Sequence, residues 1–228
     1  PVEAWRRQYD RVKKPPEIRE LEAMPRPPAE GSTPPGANAQ SVAEHAIAAQ
    51  FVGASEVRIL GEGTDLRFSV EGRRWVVLDG KLNMPDGEIF TAPVNATLNG
   101  EITFELPAVY GGRILEEIRL CWEGGRLVEA TSATHEAYLH QIVQSDAGAG
   151  VLGEFGIGTN PAVTRYCKDR LLDEKIGGTV HVALGRAYPQ CGGENDSAIH
   201  WDIVKDLRRG GQVLLDGQVV LEAGQFIT

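Results

Sequence analysis

With 228 residues, 42% of them hydrophobic and 24% charged, the chain is long enough to bury one sizeable core, and its net charge of −9 is spread without long runs of either sign. It has no basic stripe of the kind a nucleic-acid binder carries, no segment near the roughly 18 to 20 uninterrupted apolar residues of a membrane span, and no leader-like basic and apolar start. Three cysteines, Cys121, Cys167 and Cys191, form no CxxC pair and fit a reducing compartment, so a cytoplasmic protein with neither nucleic acid nor membrane as partner is expected.

In chain order, residues 1–24 read as a helical segment in which Trp5 and Tyr9 form an apolar pair at i, i+4. A chain that opens inside a helix without an initiating Met points to a missing upstream region. Residues 25–53 read as a Pro-rich arm and a short helix. Seven prolines fall between residues 15 and 40, with too few large apolar side chains to offset the entropy of ordering by burial. The helix is SVAEHAIAAQF, where Ser41 is the expected N-cap and Glu44 stands at the capping-box position. Where ordered, residues 15–53 are expected to pack against a partner subunit or a missing domain.

Strand signals begin with EVRILG and DLRFSV, where Leu66, Phe68 and Val70 alternate with polar neighbours, and Glu71-Gly72 predicts a hairpin into RRWVVL. Further strands are predicted in EITFELPAVYGG, ILEEIRLCWEGG and RLVEATSA, the last two joined at Gly124-Gly125. Tyr138, Leu139, Ile142 and Val143 recur at helical spacing and predict a helix from His135 to Ser145; a shorter helical piece is expected near residues 162–173. The predicted class is α+β, with largely antiparallel strands and a few helices, and residues 54–228 forming one metal-binding domain.

SAIHWDIV carries the first chemical signal. Alternation puts His200 and Asp202 on one strand face and Ile199, Trp201 and Ile203 on the other, so an imidazole and a carboxylate can reach one cation. A solvent-facing strand with ordinary polar residues has the same pattern. In GGTVHVALG, His181 points opposite to Val180 and Val182. Glu154, in LGEFGIGTN, has apolar surroundings in which an unpaired carboxylate is costly, and a positive partner is expected. Glu88 follows a Pro-Asp-Gly turn and taken singly reads as a loop residue. Histidines and carboxylates without thiolates favour zinc, cobalt, manganese or iron, and more than four such groups suit two ions sharing a carboxylate. The reaction class implied is hydrolysis.

NMPDGEIFTAP, LGEFGIGTN, LLDEKIGGTVHVALGRAYP and NDSAIHWD occur in an order and spacing that resemble the thermophilic aminopeptidases, the aminopeptidase T and aminopeptidase S type. The resemblance covers residues 54–228 and the first helix. It implies that Glu88, Glu154, His181, His200 and Asp202 are metal ligands, with Glu154 the bridge, and that Glu174 is a ligand or proton carrier. It implies that Tyr188 stabilises the tetrahedral oxyanion. Two divalent ions (zinc, cobalt, manganese or magnesium), a peptide substrate cut at its amino terminus and a homodimer are further expectations of the resemblance. Nothing here corresponds to the additional amino-terminal α/β domain that family members carry.

Two other functions fit parts of the same pattern. A ring-cleaving dioxygenase of pyridine diols resembles this scaffold and would hold one iron on Glu154, His200 and Asp202, leaving Glu88 and His181 without a task. An inactive binding or assembly module would be marked by missing ligands, and none is missing.

Overall fold

The computed structural model describes residues 39–80 and 85–227. The predicted helix around Trp5 and Tyr9, and the arm up to residue 38, lie outside the described residues.

Two antiparallel sheets share one core. The larger has eight strands: β1 (Glu56–Gly61), β2 (Thr64–Ser69), β5 (Val94–Phe104), β8 (Ile118–Glu123), β9 (Arg126–Thr131), β13 (Gln212–Leu215), β14 (Gln218–Glu222) and β15 (Gln225–Phe226), in the order β15-β14-β13-β1-β2-β5-β8-β9. The smaller has five: β3 (Val76–Leu78), β4 (Glu88–Thr91), β10 (Leu152–Gly158), β11 (Thr179–Gly185) and β12 (His200–Asp206), in the order β12-β11-β10-β4-β3. A small hairpin, β6 (Ala108–Tyr110) with β7 (Arg113–Leu115), stands apart. The α-helices among the described residues are α1 (Ala39–Phe51), α2 (Glu136–Val143) and α3 (Arg170–Asp173), with a short 3-10 helix at Pro189–Cys191. None is long and apolar enough to cross a membrane. The α+β class with largely antiparallel strands is what the sequence predicts.

The inner faces follow from period-2 alternation. Leu66 and Phe68 of the larger sheet join Phe155, Ile157, Val180, Val182, Trp201 and Ile203 of the smaller in one buried cluster. Phe68 and Phe155 meet edge to face across the two sheets, with centroids 5.3 Å apart.

Three local expectations give way to tertiary structure. Glu71-Gly72 does turn the chain, but β2 pairs with β1 and β5, while β3 pairs with β4 in the other sheet. The predicted hairpin is therefore a crossing between sheets. Its driving force is visible: Val76 and Leu78 leave the main core and bury with Phe90, Ala92, Ala187 and Cys191 in a second cluster. Ser41 lies inside α1 and is not its N-cap; its hydroxyl donates to Asp79, and Glu44 accepts from Gln40 and Thr159. The helix near 162–173 shrinks to α3, because Lys168 adopts a left-handed conformation and the Asp169 side chain caps Leu172 N–H.

The described part of the arm packs on this chain itself. Phe51 is fully buried and its ring lies 4.7 Å from that of Trp75. For residues 39–53 this corrects the expected packing against a partner or missing domain: the last turn of the helix carries an aromatic side chain the core can take.

Candidate metal centre

Strands β10 and β11 are buried along their whole length, on both faces. One face is the apolar core. The other carries the predicted site residues, which ladder register sets in rows: Glu154 opposite Ala183, itself opposite Asp202; Gly156 opposite His181; Gly158 opposite Glu88. The glycines and Ala183 leave a floor without bulk between Glu88 on β4, Glu154 on β10, His181 on β11 and the pair His200 and Asp202 on β12.

Gly156 shows how tight this floor is. A Cβ there would lie 2.1 Å from Nε2 of His181, so only glycine lets the imidazole lie across the strand. Gly87 has a similar office before Glu88: at φ 118° it packs against Asn160, whose amide donates to the Asp86 carbonyl at 2.9 Å. Glu88, which the sequence left as a plain loop residue when taken singly, is the buried first residue of β4.

All six predicted ligands come together. Their ligand atoms form three overlapping groups, each within 4.8 Å: Glu88, Glu154 and His181; Glu154, His200 and Asp202; and Glu174, His181 and Asp202. Glu154 is shared in a specific way. Its Oε1 lies 3.3 Å from Nε2 of His181, and its Oε2 lies 3.2 Å from Nε2 of His200. His181 Nε2 also stands 3.3 Å from Glu88 Oε1, and His200 Nε2 stands 3.5 Å from Asp202 Oδ1. The other nitrogen of His200, Nδ1, donates to the Arg186 carbonyl at 2.8 Å, which leaves Nε2 to face the carboxylates.

The electrostatics have one sense. Burial alone would push both imidazoles toward neutrality, yet Glu88 and Glu154 raise His181, and Asp202 and Glu154 raise His200, well above the usual range. Burial would raise Glu88, but Lys175 and His181 hold it down to about 2. Burial and the charge of Glu88 keep Glu174 well above the ordinary carboxylate range. Tyr188, whose ring lies 4.9 Å from that of His200, is raised by burial and by Glu154 and Asp202, so it stays a phenol and a donor. Four carboxylates and two imidazoles on a buried floor thus draw in positive charge. Divalent cations fit this donor set, with protons as their competitors.

Sequence reasoning missed Lys175. It is fully buried, with its ammonium between Glu88 and Glu174. Its only signal was its place in LLDEK, since alternation does not mark a residue just past a helix end. Arg170 was also missed; its Nε stands 3.7 Å from Asp202 Oδ2 at the rim.

Comparison with known proteins places this geometry. Residues 40–226 match the family model described as thermophilic metalloprotease (M29). Aminopeptidase T of Thermus aquaticus is 32% identical over 145 residues, 57% of this chain and 35% of that protein. Aminopeptidase AmpS of Bacillus subtilis is 29% identical over 140 residues, 56% of this chain and 34% of that protein. The chain thus spans about a third of the length of these relatives. Among solved structures, wild-type AmpT from Thermus thermophilus superposes with a TM-score of 0.69 at 24% identity, over 82% of this chain and 53% of that one. A 2,5-dihydroxypyridine dioxygenase from Pseudomonas putida KT2440 superposes with a TM-score of 0.71 at 16% identity, over 83% of this chain and 59% of that one. At these identities the two superpositions speak for the fold alone.

Proposed function

This chain belongs to the thermophilic metalloprotease (M29) family, and on that footing we propose that it is a metal-dependent aminopeptidase that removes the amino-terminal residue of a peptide with two divalent ions. The observation that carries the proposal is the division of Glu154, one oxygen toward His181 and the other toward His200. It makes Glu154 the shared member of two half-sites, Glu88/Glu154/His181 and Glu154/His200/Asp202. The names of the relatives, aminopeptidase T and aminopeptidase AmpS, support the peptide substrate.

Divalent ions held there would supply Lewis-acid polarisation of the scissile carbonyl and would acidify a water. The remaining work falls to side chains. Tyr188, kept protonated by burial and by the carboxylates, donates a hydrogen bond to the oxygen that gains charge in the transition state. Glu174, whose buried carboxyl holds its proton above the usual range, passes a proton to the leaving amine. A homodimer in a cytoplasmic setting belongs to the same proposal.

The triad Glu154/His200/Asp202 alone would also suit a mononuclear iron. Glu88 and His181 on the second oxygen of Glu154 favour the hydrolase. Elemental analysis of the full chain after mild purification, beside the Glu88→Ala variant and a leucine-anilide assay, decides between them. The expected result is two divalent ions per chain, with one ion and the hydrolysis lost in the variant. A single iron, with no hydrolysis and no effect of Glu88→Ala, overturns the proposal in favour of ring cleavage. A chain that takes up no metal overturns it in favour of a binding module.

A further inference from the structure

The two half-sites differ in the fixed positive charge that each meets. Lys175 is fully buried, and its ammonium is bonded to Oε2 of Glu88 and Oε1 of Glu174. Glu88 therefore offers its other oxygen, Oε1, toward His181. The half-site of His200 and Asp202 meets Arg170 instead, whose side chain is 51% exposed and 3.7 Å from Asp202. Water screens an exposed guanidinium, whereas nothing but protein lies around the buried ammonium.

A divalent ion entering the Glu88/His181 half must settle beside that ammonium and share a carboxylate already engaged by it. An ion entering between Glu154, His200 and Asp202 meets only the more distant guanidinium of Arg170, which water screens. His200 is also oriented for it by the Arg186 carbonyl, while Nδ1 of His181 has no hydrogen-bond partner. We infer that Lys175 is a positioning residue that fixes the order of filling: Glu154, His200 and Asp202 take the first ion, and Glu88 and His181 take a second, more weakly held one. This inference rests on the two-ion reading above. It gives the site a graded response to metal supply, because a chain holding only the first ion lacks half of the proposed machinery.

The test is a stepwise titration of the chelator-stripped full chain with Co2+, followed by calorimetry and visible absorption. Wild type is expected to show two separated steps. Lys175→Gln keeps a donor but removes the charge, and is expected to tighten the second step by about tenfold or more while the first moves by less than about threefold. Lys175→Arg keeps the charge and should retain the separation. A Lys175→Gln variant whose second step is unmoved, or whose two steps both weaken as they would for a merely structural lysine, overturns the inference. If Lys175→Gln does not fold, Glu174→Gln is compared with Glu174→Gln/Lys175→Gln, where the same tightening of the second step is expected and its absence is equally decisive. Uptake of a single Co2+ by wild type would instead remove the two-ion reading, and this inference with it.

Discussion

Replacing Gly156 by Ala adds one methyl group where the site has no room for it. The new Cβ would lie 2.1 Å from Nε2, 2.2 Å from Cε1 and 3.0 Å from Cδ2 of His181. Ordinary contact between such atoms begins near ~3.5 Å, so the ring must retreat by roughly 1.4 Å. The backbone cannot yield easily, since Phe155 and Ile157 on one strand and Val180 and Val182 on the other are fully buried in the core. His181 must instead swing away from Glu88 and Glu154, which its Nε2 now faces at 3.3 Å each. Overpacking of this kind costs about 1–3 kcal/mol, which for a chain of this size lowers Tm by roughly 3–10 °C. Calorimetry in the presence of chelator measures that loss, and elemental analysis should show uptake falling to one ion per chain. His181→Ala should lose the same ion without the strain, and adding it to Gly156→Ala should recover much of the lost stability, because the two changes share one collision. A Gly156→Ala variant with wild-type Tm and two ions would refute the placement of His181 over this strand.

Two further predictions follow from single side chains. Tyr188→Phe keeps the packing against Phe90 and His200 but removes the donor, so kcat on a leucine anilide should fall by about 10²- to 10³-fold with little change in KM or Tm. Glu44 is fully buried, and burial, with the charges of Asp86 and Asp79 added, raises it to about 7 against the hydrogen bonds from Gln40 and Thr159. The folded state therefore binds more protons than the unfolded one between pH 4.5 and about 7, and stability must fall as pH rises through that window. Glu44→Gln should flatten this slope, leaving the variant about 1–3 kcal/mol better placed relative to wild type at pH 8 than at pH 4, as read by urea unfolding at both values. An unchanged slope would remove Glu44 as its source.

Much of the site was legible because its residues sit on strands that have one face in the core. Trp201 and Ile203 had to point inward, so His200 and Asp202 had to point the other way; Val180 and Val182 did the same for His181. What alternation cannot report is the partner across space. Ser41 and Glu44 have capping-box spacing, but the Ser41 hydroxyl donates to Asp79 and Glu44 accepts from Thr159 as well as from nearby Gln40, and Asp79 and Thr159 are distant in sequence. Glu71-Gly72 marks a turn without saying which sheet receives the next strand. Lys175 was illegible for the same reason, since a lysine in a polar run reads as exposed until Glu88, far away in the sequence, is placed beside it.

The charge arrangement also explains why the ligands are divided among four strands. Neighbouring strands lie about 4.8 Å apart, and these side chains reach over more than one of them: Glu88 on β4 and His181 on β11 flank Glu154, while His200 and Asp202 approach it from β12, across β11. Glu154 stands on β10, between Glu88 on β4 and His181 on β11, and its two oxygens reach in different directions. Four carboxylates gathered on a buried face would repel one another strongly if left uncompensated. Lys175 relieves this on the side of Glu88 and Glu174, and the two imidazoles relieve the rest by holding protons or by giving way to divalent ions. Proton and metal therefore compete for the same nitrogens, Nε2 of His181 and Nε2 of His200. Since the carboxylates hold both imidazoles protonated well above their usual range, metal affinity should weaken steadily as pH falls, with each histidine releasing one proton as its ion binds.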